Sequence, residues 1–533
     1  MQTGKEVGWL FEDAARAVAE GERLITLSGL TSASSKAFVL AALYHQTRKR
    51  FAIVTDTNTS AEELRRDIAF FIDRRNAAAS LPAFETDIHS GLSPHAETLE
   101  MRALTLHHLR SGSVGLLTLP IRSLLTRLPS ADEIEKLSIR LEIDSETDPE
   151  LLTKRLIAAG YVSEEPIANV GQFSLRGGIV DVWPPGDDLP VRIEFFGDTV
   201  DSIREFDPGT QLSNRTVRSV DIAPMREYSV TADDMRLWSE YAKEAFSDGS
   251  FARALKDRTD FADAGETFGG WEFLLPMIRP LGGSVFDLIE DAIFVIDEPT
   301  VVEENARIFF EDAQRRYHQN AELGQIGIPP SSLYLEPTEL RAHLHRSRTR
   351  IDLRALGCAA ANTDEELSID AAGTSDERAP LFLFSTAEKG FEFEITSRPT
   401  RNFGGRLAEF AGHIRSSVPH LDNRFVMRSS GMAERMEEIF REYDMSVDHD
   451  AIIIGDLSSG FELPAQALAY ITESDIFGED LGSKPRPKEQ RQRRSKLNAF
   501  VSDFRDLKPG DHVVHIDHGL GRFEGLQTIS SHA

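Results

Sequence analysis

Apolar and polar residues follow two different periods along the first 125 residues. Three short and almost wholly apolar runs predict buried strands; they are Leu24–Ser28, Phe51–Thr55 and Gly115–Leu119. Between the runs, Lys36–Tyr44 predicts an apolar helix, and a second helix is predicted to begin at Ser60, with Glu63 closing a capping box. Because strands that alternate with helices pair into parallel sheets, this part of the chain predicts an α/β fold.

From about residue 130 to about residue 225 the period changes to two, and residues 172–207 in particular predict antiparallel strands. A turn is expected at the PPGDD stretch, residues 184–188, and a tight type II′ hairpin turn at Gly197–Asp198, because glycine comes first in that pair. Along the strand before this turn, Val191, Ile193 and Phe195 are expected to face the core, since side chains alternate between the two faces of a strand.

The opposite face of that strand carries Arg192, Glu194 and Phe196. On the neighbouring strand, Phe173 and Leu175 alternate with Ser174 and Arg176, which places Arg176 on this face. Arginine and aromatic side chains on one exposed face are the residue types that dominate many protein interfaces. The face is therefore either a protein-docking surface or an ordinary solvated face with a partly covered phenylalanine, and the spacing alone leaves both interpretations open.

The next part of the chain predicts a helical region, a linker and a second small α/β unit. Helical patterns dominate residues 225–320 and end in a buried strand at Ala292–Ile296. Residues 330–380 are weakly patterned, so we interpret them as a linker or a poorly packed connection. The elements expected in the small α/β unit are strands at Leu381–Phe384, Arg424–Met427 and Ala451–Ile454 and a helix at Gly431–Tyr443.

A basic stretch, residues 484–496, precedes a final strand–turn–strand pattern in residues 509–529. Such a stretch is either a solvated tether or a local contact with nucleic acid. The chain stops inside the last pattern, so we expect the sequence to be a fragment of a longer protein.

Composition narrows the classes of function. The chain has 59 basic and 87 acidic residues and a net charge of −28, which disfavours general nucleic-acid binding because phosphates need clustered lysine and arginine. Its single cysteine, Cys358, excludes an internal disulfide framework. No apolar run approaches the ~20 residues of a membrane span. A cytoplasmic protein without a membrane partner is expected.

The segment Ser28–Ala37 lies where a phosphate-binding loop would stand, between a strand and a helix. It keeps Gly29 and Lys36, but serine replaces the glycine before the lysine, alanine follows the lysine, and the spacing is one residue longer. The missing glycine would let backbone amides close around phosphates, and the missing hydroxyl would bind magnesium. The segment predicts a relic without ATPase activity, with weak nucleotide binding as the alternative.

An acidic pair after a strand and two histidines near the end of the chain are two further candidate sites. Asp297 and Glu298 follow an apolar strand like a Walker B pair, or are an ordinary solvated strand end. His515 and His518 lack an obvious third ligand, so structural histidines are expected and no metal site is predicted. No spacing supports a Ser/His/Asp or Cys/His arrangement, so no catalytic residue is predicted.

Taken together, these residues resemble the N-terminal half of the bacterial transcription-repair coupling factors. The most specific stretch is FSLRGGIVDVWPPGDDLPVRIEFFGDTVDSIREFDPGTQLS, residues 173–213, which is similar to the segment that this family shares with the excision-repair protein UvrB. Supporting motifs follow in the family's order; they are GGWEFLLPMI (269–278), IDEP (296–299), GFELPAQALAYITESDIFG (460–478) and PGDHVVHIDHGLGRFEGLQTI (509–529).

The resemblance implies a multidomain chain of α/β and α+β parts. A UvrB-like, degenerate RecA-type α/β module would be interrupted by an inserted α+β domain and followed by smaller parts. The implied parts are residues 1–125 and 223–325 for the module, 126–222 for the inserted UvrA-binding domain, 326–379 for a linker, 380–480 for a small α/β domain of unassigned role, 481–496 for a basic linker and 497–533 for the start of an RNA polymerase-interacting domain, a small CarD-like β barrel.

The resemblance also implies the partners. The family's UvrA-contacting positions fall on Arg176, Arg192 and Phe196, the residues that alternation places on one face. The tail would contact the RNA polymerase β subunit, with Leu526 and Ile529 near the contact edge. In the longer proteins of the family, a motor uses ATP and magnesium to move along duplex DNA and displaces the stalled polymerase; no cofactor is expected in this chain.

Three functions stay open at this point. The favoured one is a scaffold that links stalled polymerase to UvrA. The second is an active UvrB-type damage-recognition ATPase, which the broken loop disfavours, as does the lack of an aromatic cluster in residues 81–97, where UvrB has a DNA-clamping hairpin. The third is a polymerase-binding transcription regulator with an unrelated N-terminal half.

Overall fold

A computed structural model describes residues 11–72, 77–356, 383–384, 390–417, 421–445, 447–478, 512–515 and 519–522. The chain divides into two compact units, one formed by residues 1–167 and 171–480 and the other by residues 168–170 and 481–533. Within the described residues, no helix has both the length and the apolar character needed to cross a membrane.

The described helices and strands are numbered here in chain order. The helices are α1 (Glu12–Glu20), α2 (Ala33–Thr47), α3 (Asn58–Phe71), α4 (Ala96–Arg110), α5 (Ile121–Leu125), α6 (Ala131–Leu137), α7 (Pro149–Ala158), α8 (Ala232–Ala245), α9 (Ala252–Asp263), α10 (Pro299–Glu322), α11 (Pro337–Arg346), α12 (Leu407–Ser417), α13 (Ser430–Glu442) and α14 (Glu473–Phe477). The strands of the first half are β1 (Leu24–Ser28), β2 (Phe51–Thr55), β3 (Ala78–Ser80), β4 (Leu116–Pro120), β5 (Ile139–Glu142), β6 (Val162–Ser163), β7 (Gln172–Arg176), β8 (Ile179–Val182), β9 (Val191–Phe196), β10 (Thr199–Phe206), β11 (Ser213–Val217) and β12 (Ser219–Ile222). The later strands are β13 (Ile293–Asp297), β14 (Arg350–Arg354), β15 (Phe391–Glu394), β16 (Arg398–Pro399), β17 (Asp422–Met427), β18 (Ile452–Ile454), β19 (Phe461–Leu463), β20 (Leu468–Thr472), β21 (His512–His515) and β22 (Gly519–Arg522).

A seven-stranded parallel sheet is the centre of the first unit, with the strand order β15-β1-β14-β13-β2-β4-β3. Its inner strands β1, β2 and β4 are buried along their whole length, as expected for a parallel sheet covered on both faces. The predicted strands β1 and β2 are confirmed residue for residue, and the third lies one residue later than predicted. The α/β fold predicted for this region is therefore confirmed.

The interpretation of residues 326–379 as a linker is wrong for the part that the structure describes. Residues 337–346 form α11, and β14 lies in the middle of the sheet between β1 and β13. Its Asp352 is buried and accepts from Arg350 at 2.8 Å, with Arg354 3.4 Å away. These paired charges make a central strand look polar in the sequence. Cys358 lies outside the described residues.

A five-stranded mixed sheet, with the order β16-β19-β20-β17-β18, forms the small α/β part. The predicted helix at Gly431–Tyr443 is confirmed as α13, one residue earlier at each end. β15 instead pairs with β1 at the edge of the seven-stranded sheet, so the small part begins later than residue 380. For the predicted strand at Leu381–Phe384, Leu383 and Phe384 are in no strand, and the other two residues lie outside the described residues.

Aromatic side chains join these two sheets into one core. The ring centroid of Phe38 on α2 lies 5.8 Å from that of Phe461 and 5.6 Å from that of Tyr470, and Phe71 on α3 lies 5.4 Å from Tyr470. All four rings are buried. Since aromatic pairs at this separation contribute beyond the area that they bury, the small α/β part is packed firmly against α2 and α3.

The start of α3 differs from the prediction. Thr57, rather than Ser60, is the N-cap, and its hydroxyl accepts from the Ser60 backbone N–H at 3.2 Å. Ser60 therefore sits one turn inside the helix. The helical region after residue 225 is confirmed by α8, α9 and α10, and the strand predicted at Ala292–Ile296 is β13, one residue later.

The period-two region forms a six-stranded sheet with the order β11-β10-β9-β8-β7-β6, antiparallel except for β6 and β7. Val191 and Ile193 are buried and Phe195 is partly buried, so the predicted core face of β9 is confirmed. The hairpin turn has a positive φ of 63° at Gly197 but not at Asp198, as a type II′ turn requires. β5 and β12 pair beside this sheet.

In the second unit, β21 and β22 form an antiparallel hairpin, which confirms the predicted strand–turn–strand pattern. The basic stretch at residues 484–496, together with His518, Leu526 and Ile529, lies outside the described residues.

Candidate functional site

The predicted docking face is built on three neighbouring strands, β7, β8 and β9. Asp181 on β8 stands directly opposite Arg192 on β9, and Arg176 on β7 stands opposite Ile179, two residues before Asp181. Since residues two apart on a strand share a face, Arg176, Asp181 and Arg192 point to the same side. The structure therefore brings together the two arginines that alternation predicted, with a carboxylate between them.

Asp181 is the centre of this face and is only 2% exposed. Its Oδ1 accepts from Arg192 Nε at 2.7 Å, and its Oδ2 accepts from Arg192 Nη2 at 2.8 Å and from Arg176 Nη2 at 2.9 Å. The first two bonds make a bidentate pair, the strongest arginine–carboxylate geometry. A buried carboxylate thus holds both arginines.

Arg192 is held from several directions. Its Nη2 also donates to Gln211 Oε1 at 3.2 Å, and its guanidinium carbon lies 4.6 Å from the ring centroid of the buried Phe206. The hydrogen bonds that Arg192 donates to Asp181 raise the pKa of Arg192 above its ordinary value. Only 16% of the Arg192 side chain is exposed, whereas 42% of the Arg176 side chain is exposed.

Phe196 ends β9, and its side chain is 84% exposed. Beside it on the same face, Glu194 accepts from the Ser202 hydroxyl at 2.7 Å and lies 3.4 Å from Arg204. A phenyl ring left in water is unfavourable, while the surrounding charges are already paired. A protruding ring on a rigid, charge-paired sheet face suits insertion into a partner protein.

The second predicted site, the degenerate nucleotide loop, lies at the carboxyl edge of the seven-stranded sheet. Lys36 on α2 donates to Asp297 Oδ1 at 2.6 Å, and its Nζ lies 3.8 Å from Glu298 Oε1. Burial raises the pKa of Asp297, and the charge of Lys36 opposes that rise. The lysine that would bind phosphate is therefore paired with the carboxylate that would hold magnesium.

The loop itself is covered by a later segment of the chain. Gly29, with φ of +87°, packs so closely that an added Cβ would lie 2.8 Å from the carbonyl oxygen of Ile395. The Ser397 hydroxyl donates to the Gly29 carbonyl at 3.0 Å and accepts from the Thr31 N–H at 2.9 Å. Ser34 is fully buried, with its hydroxyl 3.1 Å from that of Ser459. Protein groups thus take the donors and the space that phosphates would use.

Two side chains important to these sites were missed in the sequence. Asp181 follows Val180 at an outward position of β8, and only the pairing register shows that it faces two arginines. Ser397 lies more than 360 residues from the loop that it contacts, so nothing in local spacing signals it. Residues 81–95, all of them described, contain no strand. No group of three or more potential metal ligands is found among the described residues.

Two parts of the chain are similar to known protein families. The family model described as the UvrB interaction domain matches residues 139–228, which contain the Arg176–Asp181–Arg192 face. The model described as the CarD-like/TRCF RID domain matches residues 507–532, around the β21–β22 hairpin. The chain is thus a mixed α/β protein in which one part is similar to the UvrB interaction domain and another to the CarD-like/TRCF RID domain.

The similarity extends to curated whole proteins. The transcription-repair-coupling factor of Myxococcus xanthus is 30% identical over 95% of this chain, and that of Staphylococcus aureus (strain bovine RF122 / ET3-1) is 25% identical over 97%. The chain spans 42–43% of the length of these relatives. The resemblance seen in the sequence is confirmed: over nearly its whole length, the chain is homologous to the transcription-repair coupling factors.

Proposed function

We propose that this chain is an interaction scaffold of transcription-coupled nucleotide excision repair, and that the outward face of β7, β8 and β9 binds UvrA. The observation that carries the proposal is an 84% exposed Phe196 beside a carboxylate-held arginine pair, inside a domain of the UvrB interaction type. Exposed aromatic and arginine side chains on a rigid face are the usual anchors of protein complexes.

The remaining parts of the proposal rest on homology. The segment at residues 507–532 would bind RNA polymerase, and specifically its β subunit, with Leu526 and Ile529 near the contact. In the longer relatives, a motor that needs ATP and magnesium would move on duplex DNA and displace the stalled polymerase. The chain would act in the cytoplasm.

The seven-stranded part would be a degenerate RecA-type module that imitates UvrB without hydrolysing ATP. This proposal is supported by the Lys36–Asp297 pair and by the cover that Ser397 places over the loop. The same contacts disfavour the alternative that the chain is an active UvrB-type ATPase.

The test is calorimetric titration of the whole chain with purified UvrA. Phe196→Ala removes a ring that contacts little of its own chain, so it should leave the fold and thermal stability unchanged and weaken binding at least tenfold. The matched control is Phe261→Ala, which truncates another exposed phenylalanine (50% exposed) on α9, outside the domain. Circular dichroism checks that each variant is folded.

Binding of the wild type that Phe196→Ala loses and Phe261→Ala keeps would support the recruiting role at this face. Equal binding by both variants would move the UvrA site elsewhere, and no binding by the folded wild type would reject the recruiting role. DNA-stimulated ATP hydrolysis by the same preparation would instead favour the damage-recognition ATPase.

A further inference from the structure

We infer that Asp181 is the positioning residue of the UvrA-facing surface, that Arg176 and Phe196 contact the partner, and that Arg192 supports Asp181 from within the domain. This inference rests on the proposed function and assigns different roles to residues that resemblance treats alike.

The hydrogen bonds of Arg192 show why it is a support. Its Nε and Nη2 both donate to Asp181, Nη2 also donates to Gln211, and the guanidinium carbon lies over the Phe206 ring. A partner carboxylate could bind arginine with two bonds through Nε and Nη2 or through Nη1 and Nη2. Asp181 uses the first of these forks, Gln211 takes a second bond from the Nη2 that the forks share, and only 16% of the side chain is exposed, so Arg192 has little left to offer a partner.

Arg176 is in the opposite situation. It gives one Nη2 bond to Asp181, and its Nε lies 3.7 Å from Glu165, which itself is largely exposed. Its side chain is 42% exposed, and its bond to Asp181 uses one of five N–H donors. Arg176 can therefore pair with a partner carboxylate while Asp181 keeps its side chain in one orientation.

Asp181 is what makes this orientation possible. Arg176 and Arg192 donate to the same oxygen, Oδ2, so the carboxylate between them offsets the repulsion of their two positive charges. Without that charge the guanidiniums would repel each other, and the exposed one, Arg176, would move. The matching surface on UvrA would be an apolar recess for Phe196 with a carboxylate at its rim for Arg176.

The experiment is a double-mutant cycle on binding of the whole chain to UvrA, with Asp181→Asn and Arg176→Gln as the two changes. Asp181→Asn should weaken binding about tenfold in the wild-type background, as expected for loss of charge-assisted hydrogen bonds. In the Arg176→Gln background it should change the affinity less than about threefold, because the residue that it positions is gone. Arg192→Lys should behave like Asp181→Asn in both backgrounds.

Tyr161→Phe is the structural control, since it removes the hydrogen bond from the buried Tyr161 hydroxyl to the Ala223 carbonyl in the same domain, away from the face. It should lower the thermal midpoint and leave UvrA affinity unchanged at a temperature where all variants are folded. An equal loss of affinity from Asp181→Asn in both backgrounds would overturn the positioning role. So would unchanged binding by Asp181→Asn while Phe196→Ala abolishes it, and in that case the recruiting function itself would stand.

Discussion

Asp67 on α3 and Ser458 are joined by two hydrogen bonds: the Ser458 backbone N–H donates to Oδ1 at 2.8 Å, and its hydroxyl donates to Oδ2 at 2.5 Å. Asp67 is 1% exposed, so a buried carboxylate links the seven-stranded part to the small α/β part. Burial raises its pKa to about 6, even though the two bonds from Ser458 lower it.

This pKa predicts a pH dependence of stability. The folded value lies above the unfolded value of about 3.9, so the contribution of Asp67 to the free energy of unfolding is fully present below pH 4 and is lost as the pH rises through 6. Asp67→Asn keeps a hydrogen-bonding partner for Ser458 but cannot ionise. Urea unfolding between pH 4.5 and 7.5 should show that the stability of the variant relative to the wild type increases as the pH rises. The exposed Asp260→Asn serves as control, and parallel profiles for all three proteins would contradict the prediction.

The buried pair of Arg102 and Glu227 predicts a large loss of stability. Both side chains are fully buried, with Arg102 Nε 3.0 Å from Glu227 Oε2, and Arg102 also donates to the Pro82 carbonyl. Arg102→Met leaves a buried, unpaired carboxylate and should cost about 3–5 kcal/mol in the free energy of unfolding.

The comparison for this pair is Arg236→Met on α8, which breaks the exposed pair with Asp233 and should cost less than ~1 kcal/mol. Equilibrium unfolding in denaturant measures both. A similar, small loss in the free energy of unfolding for the two variants would show that the buried Arg102–Glu227 pair does not make the large contribution to stability predicted here.

Gly29 is expected to tolerate no side chain, for a reason unrelated to phosphate. Its φ of +87° and the 2.8 Å approach of an added Cβ to the Ile395 carbonyl both oppose alanine, so Gly29→Ala should cost roughly 1–3 kcal/mol. Gly21→Ala is a matched control, since Gly21 also has a positive φ, of +79°, but open space around its Cβ position. Thermal unfolding should show a clearly larger loss of stability for Gly29→Ala than for Gly21→Ala. Equal losses of stability would mean that the close approach to the Ile395 carbonyl does not contribute to the cost.

Rebuilding the phosphate-loop residues should not restore nucleotide binding. Ser35→Gly combined with Ala37→Thr recreates the usual end of such a loop, but Ser397 still occupies the Thr31 N–H and Asp297 still holds Lys36. Titration with a fluorescent ATP analogue and magnesium should show no saturable binding to the wild type or to the rebuilt variant. Micromolar binding by the rebuilt variant would mean that the loop sequence alone is responsible for the defect.

The local pattern of the sequence predicted most strands well and one region badly. β1 and β2 are buried along their whole length and contain no charged residue, so their apolar pattern alone was enough to locate them in the sequence. β14 carries Arg350, Asp352 and Arg354, whose charges are satisfied by each other in the centre of a sheet. A strand of this kind cannot be told from a solvated segment without knowing its partners.

The geometry of the proposed docking face was predictable in part for the same reason. Alternation placed Arg176, Arg192 and Phe196 on one side, because period two is a property of each strand by itself. The role of Asp181 depends on the register between β7, β8 and β9, which is set by packing across strands. The cover over Gly29 depends on an even longer separation along the chain and on β15 pairing with β1.

The central position of β14 in the sheet also affects the order in which the chain can fold during synthesis. A ribosome delivers β1 more than 300 residues before β14, which at roughly 5–20 residues per second is a delay on the order of 15–65 s. When β13 has been made, β14, which lies between β1 and β13 in the sheet, is still missing, whereas the contiguous stretch from β5 to β12 is already complete. The nascent chain should therefore fold the domain that contains β5 to β12 first and complete the seven-stranded sheet afterwards. A gene fragment that ends between residues 223 and 349 would contain the proposed docking face but lack a central strand of that sheet.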